Sequence, residues 1–150
     1  VDVRAKGAKA ETVVRDALRK LTGLKWERTP GSGALDPKHM LKGDLYVPGK
    51  DNLYCVECKH YAEDHLTSKV LTSKSPEIIT WWDQAIRQGK EVNKKWLLIF
   101  KHDRSKLFVA FMDIPNDDYF HLYLHRHETH PFYIALLEDW INYDKPKFVK

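Results

Sequence analysis

Two carboxylates and a lysine near the middle of the chain have the types and the spacing of a divalent-cation site with an ammonium group next to it. Glu57 and Lys59 are two residues apart in an apolar run, so on a β-strand they project from the same face, about 7 Å apart. Asp44 opens the preceding apolar run and could meet Glu57 across a strand pair. Two carboxylates beside an ammonium group suit Mg²⁺-assisted attack of water on a phosphodiester.

The segments around these residues are those of a β-hairpin. Residues 43–47 and 53–59 are rich in β-branched, aromatic and aliphatic side chains. Between them, the turn residues Pro48 and Gly49 begin a Pro-Gly-Lys-Asp-Asn segment. This pattern predicts two antiparallel strands joined by a turn, which places the two carboxylates on facing strands.

In Asp44, Glu57 and Lys59 the chain resembles the PD-(D/E)XK signature of restriction-endonuclease-like nucleases, with Gly43 where the motif's Pro often stands. The resemblance implies a nuclease with Mg²⁺ as cofactor and Mn²⁺ as a substitute. Asp44 and Glu57 would hold the metal together with the backbone carbonyl of Cys58. Lys59 would orient the nucleophile or stabilise the charge that develops on the phosphate.

The first amphipathic segment adds a further acidic residue. Residues 8–22 have the spacing of a helix with one apolar stripe, and Gly23 follows as a stop. Glu11 lies on the flank of that stripe, where it is either a solvated helix-edge residue or directed toward the element against which the helix packs. In PD-(D/E)XK resolvases a Glu of the first helix reaches the metal site, and Glu11 occupies the matching position.

The strand predicted at 25–29 and the small-residue loop after it indicate one particular branch of these nucleases. The Gly-Ser-Gly sequence ahead of the Asp and the Glu-x-Lys strand is similar to the archaeal-type (Hjc) Holliday junction resolvases. In those proteins the loop Ser contributes to cleavage, which implies a catalytic role for Ser32. A longer spacer leaves Asp36 and Asp44 as alternatives for the motif Asp, and we prefer Asp44 because it opens a strand.

Beyond the hairpin, residues 60–75 are polar and predict a flap bordering the site, or a solvated loop. A core helix then begins with Ser75 as its N-cap and Pro76 at its first position. Gln84 of this helix could reach the site, although an exposed amide is the favoured interpretation. The runs at 96–101 and 106–112 predict a second hairpin, or two strands buried on both faces.

The order of these elements matches the αβββαβ core of the nuclease superfamily over about residues 5–113, with a C-terminal extension at 114–150. We therefore expect an α/β, restriction-endonuclease-like single domain over residues 1–150, with a central mixed β-sheet flanked by helices. The extension predicts a half-buried strand near 119–125 and a helix over 131–143. Its aromatic residues could form a dimer interface. Its histidines (His125, His127 and His130) are either surface residues or ligands of a zinc site that has no evident fourth ligand.

The composition of the chain constrains its function less than these motifs do. The formal charge of +4 and the pI of about 9.0 give a mild preference for polyanions. No apolar run approaches the length of a membrane span. Cys55 and Cys58 point to opposite faces of one strand and cannot easily form a disulfide, which predicts a reducing, cytoplasmic location, compatible with a nucleoid-associated or phage-encoded protein.

Together these features predict a Mg²⁺-dependent DNA endonuclease. The resemblance more specifically implies a Holliday junction resolvase of DNA recombination and repair that makes symmetric nicks in four-way junctions as a homodimer. The alternatives are another PD-(D/E)XK nuclease acting on linear, flapped or single-stranded DNA, and a DNA-binding module of the same fold that does not cleave. The expected contacts to backbone phosphates are Lys6, Lys9, Arg28, Lys38 and Lys42.

Overall fold

The computed structural model describes residues 3–30 and 42–150, with the side chains of the first helix described from Ala8 onward. The helices are α1 (Val3–Thr22), α2 (Lys69–Thr72), α3 (Glu77–Glu91) and α4 (Leu137–Asp144). The strands are β1 (Glu27–Arg28), β2 (Leu45–Tyr46), β3 (Tyr54–Tyr61), β4 (Lys95–His102), β5 (Phe108–Phe111), β6 (His121–Leu124) and β7 (Phe132–Leu136).

The strands form one mixed sheet in the order β1-β2-β3-β4-β5-β7-β6. β3 and β4 are parallel along their whole length, from the pair Tyr54–Lys95 to the pair Tyr61–His102, and α3 makes the crossover between them. The other neighbouring strands pair antiparallel. The predicted α/β domain with a mixed sheet and flanking helices is therefore confirmed.

The two faces of the sheet are covered by different helices. On one face, Val56 and Cys58 of β3 pack with Val14 and Leu18 of α1 and with Trp140 of α4. The opposite face packs on α3, whose apolar side contacts β4 and β7. Because side chains alternate along a strand, the residue between Val56 and Cys58 faces α3.

The C-terminal end of α1 follows its predicted signal, whereas the starts of α1 and α3 differ from the prediction. Gly23 has φ +74° and donates its N–H to the carbonyl of Arg19, which is a left-handed end to α1. The helix begins earlier than predicted, at Val3. In α3 the flanking residue is Pro76 and the first helical residue is Glu77, so the predicted N-cap at Ser75 lies one residue too early.

The C-terminal extension corrects one prediction. The strand near 119–125 is present as β6, but the predicted helix over 131–143 is wrong in its first part. Residues 132–136 form β7, which lies between β5 and β6, and the helix occupies only Leu137–Asp144. A short apolar run buried between two strands cannot be distinguished from a buried helix by periodicity alone.

The polar segment after β3 is anchored to the extension. Val70 of α2 is buried in the core beneath α3. The guanidinium group of Arg126 donates to the carbonyls of Val70 and Ser73 at 3.0 and 2.9 Å. The segment predicted as a flap or a solvated loop thus contains a helical turn that is hydrogen-bonded to a residue more than fifty positions away.

Candidate active site

The approach of Gly43 to β3 determines where the first carboxylate lies. Gly43 has φ +85°, and a Cβ at this position would lie 2.7 Å from the carbonyl oxygen of Val56 and 3.1 Å from the Cys55 sulfur. Only glycine combines this conformation with this close approach. The chain therefore delivers the next residue directly against the backbone of β3.

Asp44 is held there by three backbone and side-chain hydrogen bonds. Its N–H donates to the Val56 carbonyl at 2.7 Å, and its carbonyl accepts from the N–H of Thr29 at 2.9 Å. Its Oδ2 accepts from the N–H of Cys58 at 2.8 Å. The Asp44 carboxylate thus has a fixed position beside the centre of β3.

Glu57 is the second carboxylate, and it is buried on the α3 face, with 5% of its surface exposed. Its Oε1 accepts from Gln84 Nε2 at 3.1 Å and lies 3.5 Å from the Nζ of Lys59. Glu57 and Lys59 share one face of β3, as their spacing predicts. Gln84 is at the site, so the favoured interpretation of an exposed amide is wrong.

Burial and repulsion from neighbouring carboxylates raise the pKa of both Asp44 and Glu57. Burial first, and then the charge of Glu57, raise the pKa of Asp44 from 3.8 to about 8, against the opposing hydrogen bond from Cys58. Burial also raises the pKa of Glu57, and Lys59 opposes that rise. Glu11 raises the pKa of both groups, which shows that three carboxyl groups share one poorly solvated region.

Glu11 therefore lies at the site, although its closest ion pair is elsewhere. Its Oε2 accepts from Arg28 Nε at 2.8 Å, and its side chain is half-buried. Of the two alternatives for Glu11, the structure favours the one directed toward the packed element over the solvated helix edge. Arg28, predicted as a phosphate contact, is its partner across α1 and β1.

These groups fit a hydrated divalent cation. Within residues 3–30 and 42–150, no three His, Cys, Asp or Glu side chains form a ready-made metal cage. Mg²⁺, however, is usually bound by one or two carboxylates and keeps several waters. Asp44 and Glu57 are such a pair. The pKa of the buried Cys58 thiol is raised well above its usual value, so the thiol stays protonated and Cys58 could contribute only its backbone carbonyl. The assignment of Glu11, Asp44, Glu57 and Cys58 as metal ligands stays a prediction.

The remaining predicted residues are dispersed. Lys9 is exposed on α1, and Lys42 Nζ lies 3.4 Å from Glu91 Oε2 at the end of α3. Ser32, Asp36, Lys38 and the side chain of Lys6 lie outside the described residues. Cys55 and Cys58 are free and buried, as predicted, whereas the histidines of the extension (His125, His127 and His130) form no metal-binding group with any described side chain.

Comparison with known proteins agrees with this geometry. Residues 2–149 match the family described as "Phage putative PDDEXK endonuclease". Protein D14 of Escherichia phage T5 is 45% identical over 113 residues, which cover 73% of this chain and 71% of that protein. No solved structure matches the chain. In the part of the chain that the structure describes, no helix is long and apolar enough to cross a membrane.

Replacing Gly43 tests whether the close approach holds the site together. Gly43→Ala should lower the free energy of unfolding by more than the roughly 1–3 kcal/mol of a strained backbone conformation, because the new Cβ also meets β3 backbone. Gly49→Ala is the matched control, since Gly49 has φ +73° and nothing within 4 Å of its Cβ position. Urea unfolding of both variants measures the difference, and equal losses would contradict the close approach.

The raised pKa of Asp44 predicts a pH-dependent stability. The folded protein holds this proton up to about pH 8 and the unfolded chain only to about pH 4, so ionisation costs stability as pH rises through this window. In EDTA, Asp44→Asn should therefore be more stable than the wild type at pH 8 and similar at pH 4. Mg²⁺ should raise the melting temperature of the wild type more than that of the variant.

Thermal unfolding across this pH range makes the measurement. Asp83→Asn is the matched control, because Asp83 is exposed on α3 and is not among the groups that shift the pKa of Asp44 or Glu57. If the melting temperatures of Asp44→Asn and Asp83→Asn depended on pH in the same way, the raised pKa of Asp44 would be contradicted.

Proposed function

Since the chain belongs to the phage PDDEXK endonuclease family, we propose that it hydrolyses phosphodiester bonds of DNA with a bound divalent cation, Mg²⁺ or its substitute Mn²⁺. The observation that carries this proposal is the arrangement of two carboxylates, the buried Glu57 and the half-buried Asp44, beside the ammonium group of Lys59. Such a pair is costly without a cation to compensate its charge. The ammonium group supplies a donor for the negative charge of a reacting phosphate.

Each side chain of this site has a separate task. The N–H of Cys58 and the amide of Gln84 orient the Asp44 and Glu57 carboxylates toward a shared cation. The cation, when bound, lowers the pKa of a coordinated water and stabilises phosphate charge. Lys59 orients the attacking water or stabilises the charge that develops on the phosphate. Glu11, whose charge acts on both Asp44 and Glu57, completes the acidic set.

The proposed DNA path runs over the basic residues around the acidic set. Arg28 lies next to Glu11 and remains 42% exposed in its side chain, so a phosphate can reach it. Lys42 is held near the site by its ion pair with Glu91. The further proposed phosphate contacts are Lys6, Lys9 and Lys38, and we keep Ser32 as a residue that assists cleavage.

We further propose that the substrate is branched DNA, specifically a four-way junction that a homodimer cuts with two symmetric nicks. The placement of Glu11 beside the acidic pair supports this proposal, because the resolvase resemblance implies a Glu from the first helix. A second support is β6, which is the last strand of the sheet and carries exposed Leu122 and Tyr123 next to exposed Phe120. An apolar edge of this kind suits pairing with a second copy.

Two substitutions separate metal binding from chemistry. Glu57→Gln should weaken Mg²⁺ binding and reduce cleavage by orders of magnitude, because the amide removes a charge that the cation needs. Lys59→Ala should leave Mg²⁺ affinity nearly unchanged, since an ammonium group is no metal ligand. Its chemical step should nevertheless slow by an amount equivalent to about 2.7–4 kcal/mol.

Isothermal titration with Mg²⁺ and single-turnover cleavage kinetics make this comparison. Lys69→Ala, at an exposed lysine of α2, is the control for removing one positive charge. If Lys59→Ala lowered the affinity for Mg²⁺ as much as it lowered the cleavage rate, the role assigned to Lys59 would be wrong. Wild-type turnover in Glu57→Gln would remove the site assignment.

Junction selectivity and dimer formation form a separate test. Excess linear duplex of the same sequence should compete poorly against a labelled four-way junction, because readout comes from backbone shape rather than base edges. Leu122→Glu on β6 should convert dimers into monomers in sedimentation, whereas Ile114→Glu, at an exposed residue outside β6, should not. Equal competition by the duplex would leave a nuclease of linear DNA, and a monomeric wild type would reject the homodimer.

A further inference from the structure

A large cleft lies at the end of the sheet where β3 and β4 begin. It has a volume of about 1220 Å³ and is formed by the β2–β3 turn, the loop after α3, the segment after β5 and the C-terminal residues. Neither Glu57 nor Lys59 lines it. Five lysines do: Lys50, Lys94, Lys95, Lys147 and Lys150.

The acidic residues that line this cleft are fewer than its lysines. Asp113 Oδ2 accepts from Lys95 Nζ at 2.9 Å. Asp144 accepts from the Tyr119 hydroxyl and from the N–H of Asn116. Together with Asp51 these are three lining acids against five lysines, so positive charge is in excess in the cleft.

Three of the lysines point this excess charge toward solvent. Lys50, Lys147 and Lys150 are exposed, and none of them forms an ion pair with another described residue. Lys50 is almost a hundred positions away from Lys147 and Lys150 in the sequence, yet all three line the same cleft. Exposed lysines gathered in a concave surface form a site for a polyanion.

The backbone fixes the positions of the C-terminal lysines. Leu53 donates its N–H to the Phe148 carbonyl, and Lys150 donates its N–H to the Asp51 carbonyl, both at 2.9 Å. The Phe148 side chain is buried in the core and contacts Trp26 edge to face at 5.3 Å. Lys147 and Lys150 therefore flank an anchored residue and are not part of a loose tail.

The cleft also borders the candidate active site. Tyr54 lines the cleft and lies three residues before Glu57 on β3, a distance of about 10 Å along the strand. On the α3 side, Val92 lines the cleft directly after Glu91, which pairs with Lys42. A DNA strand leaving the site past Lys42 would reach the cleft within a few nucleotides.

We infer that this lysine-lined cleft binds the sugar–phosphate backbone of the DNA that flanks the cut, as a second contact outside the catalytic centre. The inference rests on the proposed endonuclease function and assigns a role in substrate binding to the C-terminal residues. Lysine ammonium groups act as point charges on phosphates, so the contact carries affinity without base preference.

The triple variant Lys50→Gln/Lys147→Gln/Lys150→Gln tests the inference. Binding of long labelled DNA in EDTA should weaken about tenfold at moderate salt. The log–log salt slope should fall by about 0.9 for each phosphate that the variant no longer neutralises. Single-turnover cleavage with Mg²⁺ at saturating DNA should keep its rate, because no residue of the acidic set has changed.

Two controls make the result specific. A second triple variant, Lys20→Gln/Lys25→Gln/Lys74→Gln, removes the same charge from exposed lysines that do not line the cleft. Only the cleft variant should bind DNA more weakly, and the difference should shrink on an oligonucleotide too short to span both the site and the cleft.

The outcomes separate the inference from the function on which it rests. If the cleft variant binds long DNA as the wild type does, or if the control variant is weakened as much, the cleft inference is wrong and the endonuclease proposal stands. If the wild type neither binds nor cleaves DNA, both are wrong. A lower cleavage rate at saturating DNA would also overturn the assignment of the cleft to binding alone.

Discussion

The burial of like charges beside β3 is the constraint on which the rest of this structure depends. Glu57 is buried and Asp44 is half-buried, and the charges of Glu57 and Glu11 both act on Asp44. An uncompensated buried carboxylate is costly. The protein compensates part of this cost with the Cys58 N–H, the Gln84 amide and the Lys59 ammonium group. The part of this cost that stays uncompensated raises the pKa of Asp44 to about 8. A divalent cation is the chemical species that would relieve it.

β3 makes this arrangement possible because its two faces have different roles. Val56 and Cys58 anchor β3 in the core with α1, while Glu57 faces α3 and Gln84. Because Gly43 has no side chain, the facing strand approaches closely enough for a hydrogen bond between the Asp44 carboxylate and the β3 backbone. Each substitution that loosens β3 therefore affects folding and the site together.

The C-terminal extension adds binding surfaces more than it adds chemistry. β7 and β6 widen the sheet and leave an apolar edge, while the final residues bring lysines to a cleft near the start of β3. Arg126 of the same extension anchors the polar segment after β3. The acidic set of Glu11, Asp44 and Glu57 lies outside the extension. The extension carries the features on which we base the proposed partner contacts.

The sequence alone determined the features that depend on local spacing. The hairpin around Asp44 and Glu57 follows from alternating side chains and turn residues, and the shared face of Glu57 and Lys59 follows from the two-residue period of a strand. Contacts between distant residues were decided only by tertiary structure. Gln84 meets Glu57 across 27 positions, and Arg28 pairs with Glu11 across 17. Residues 132–136 form a strand instead of a helix because β5 and β6 bury both of their edges, a contact that no local pattern encodes.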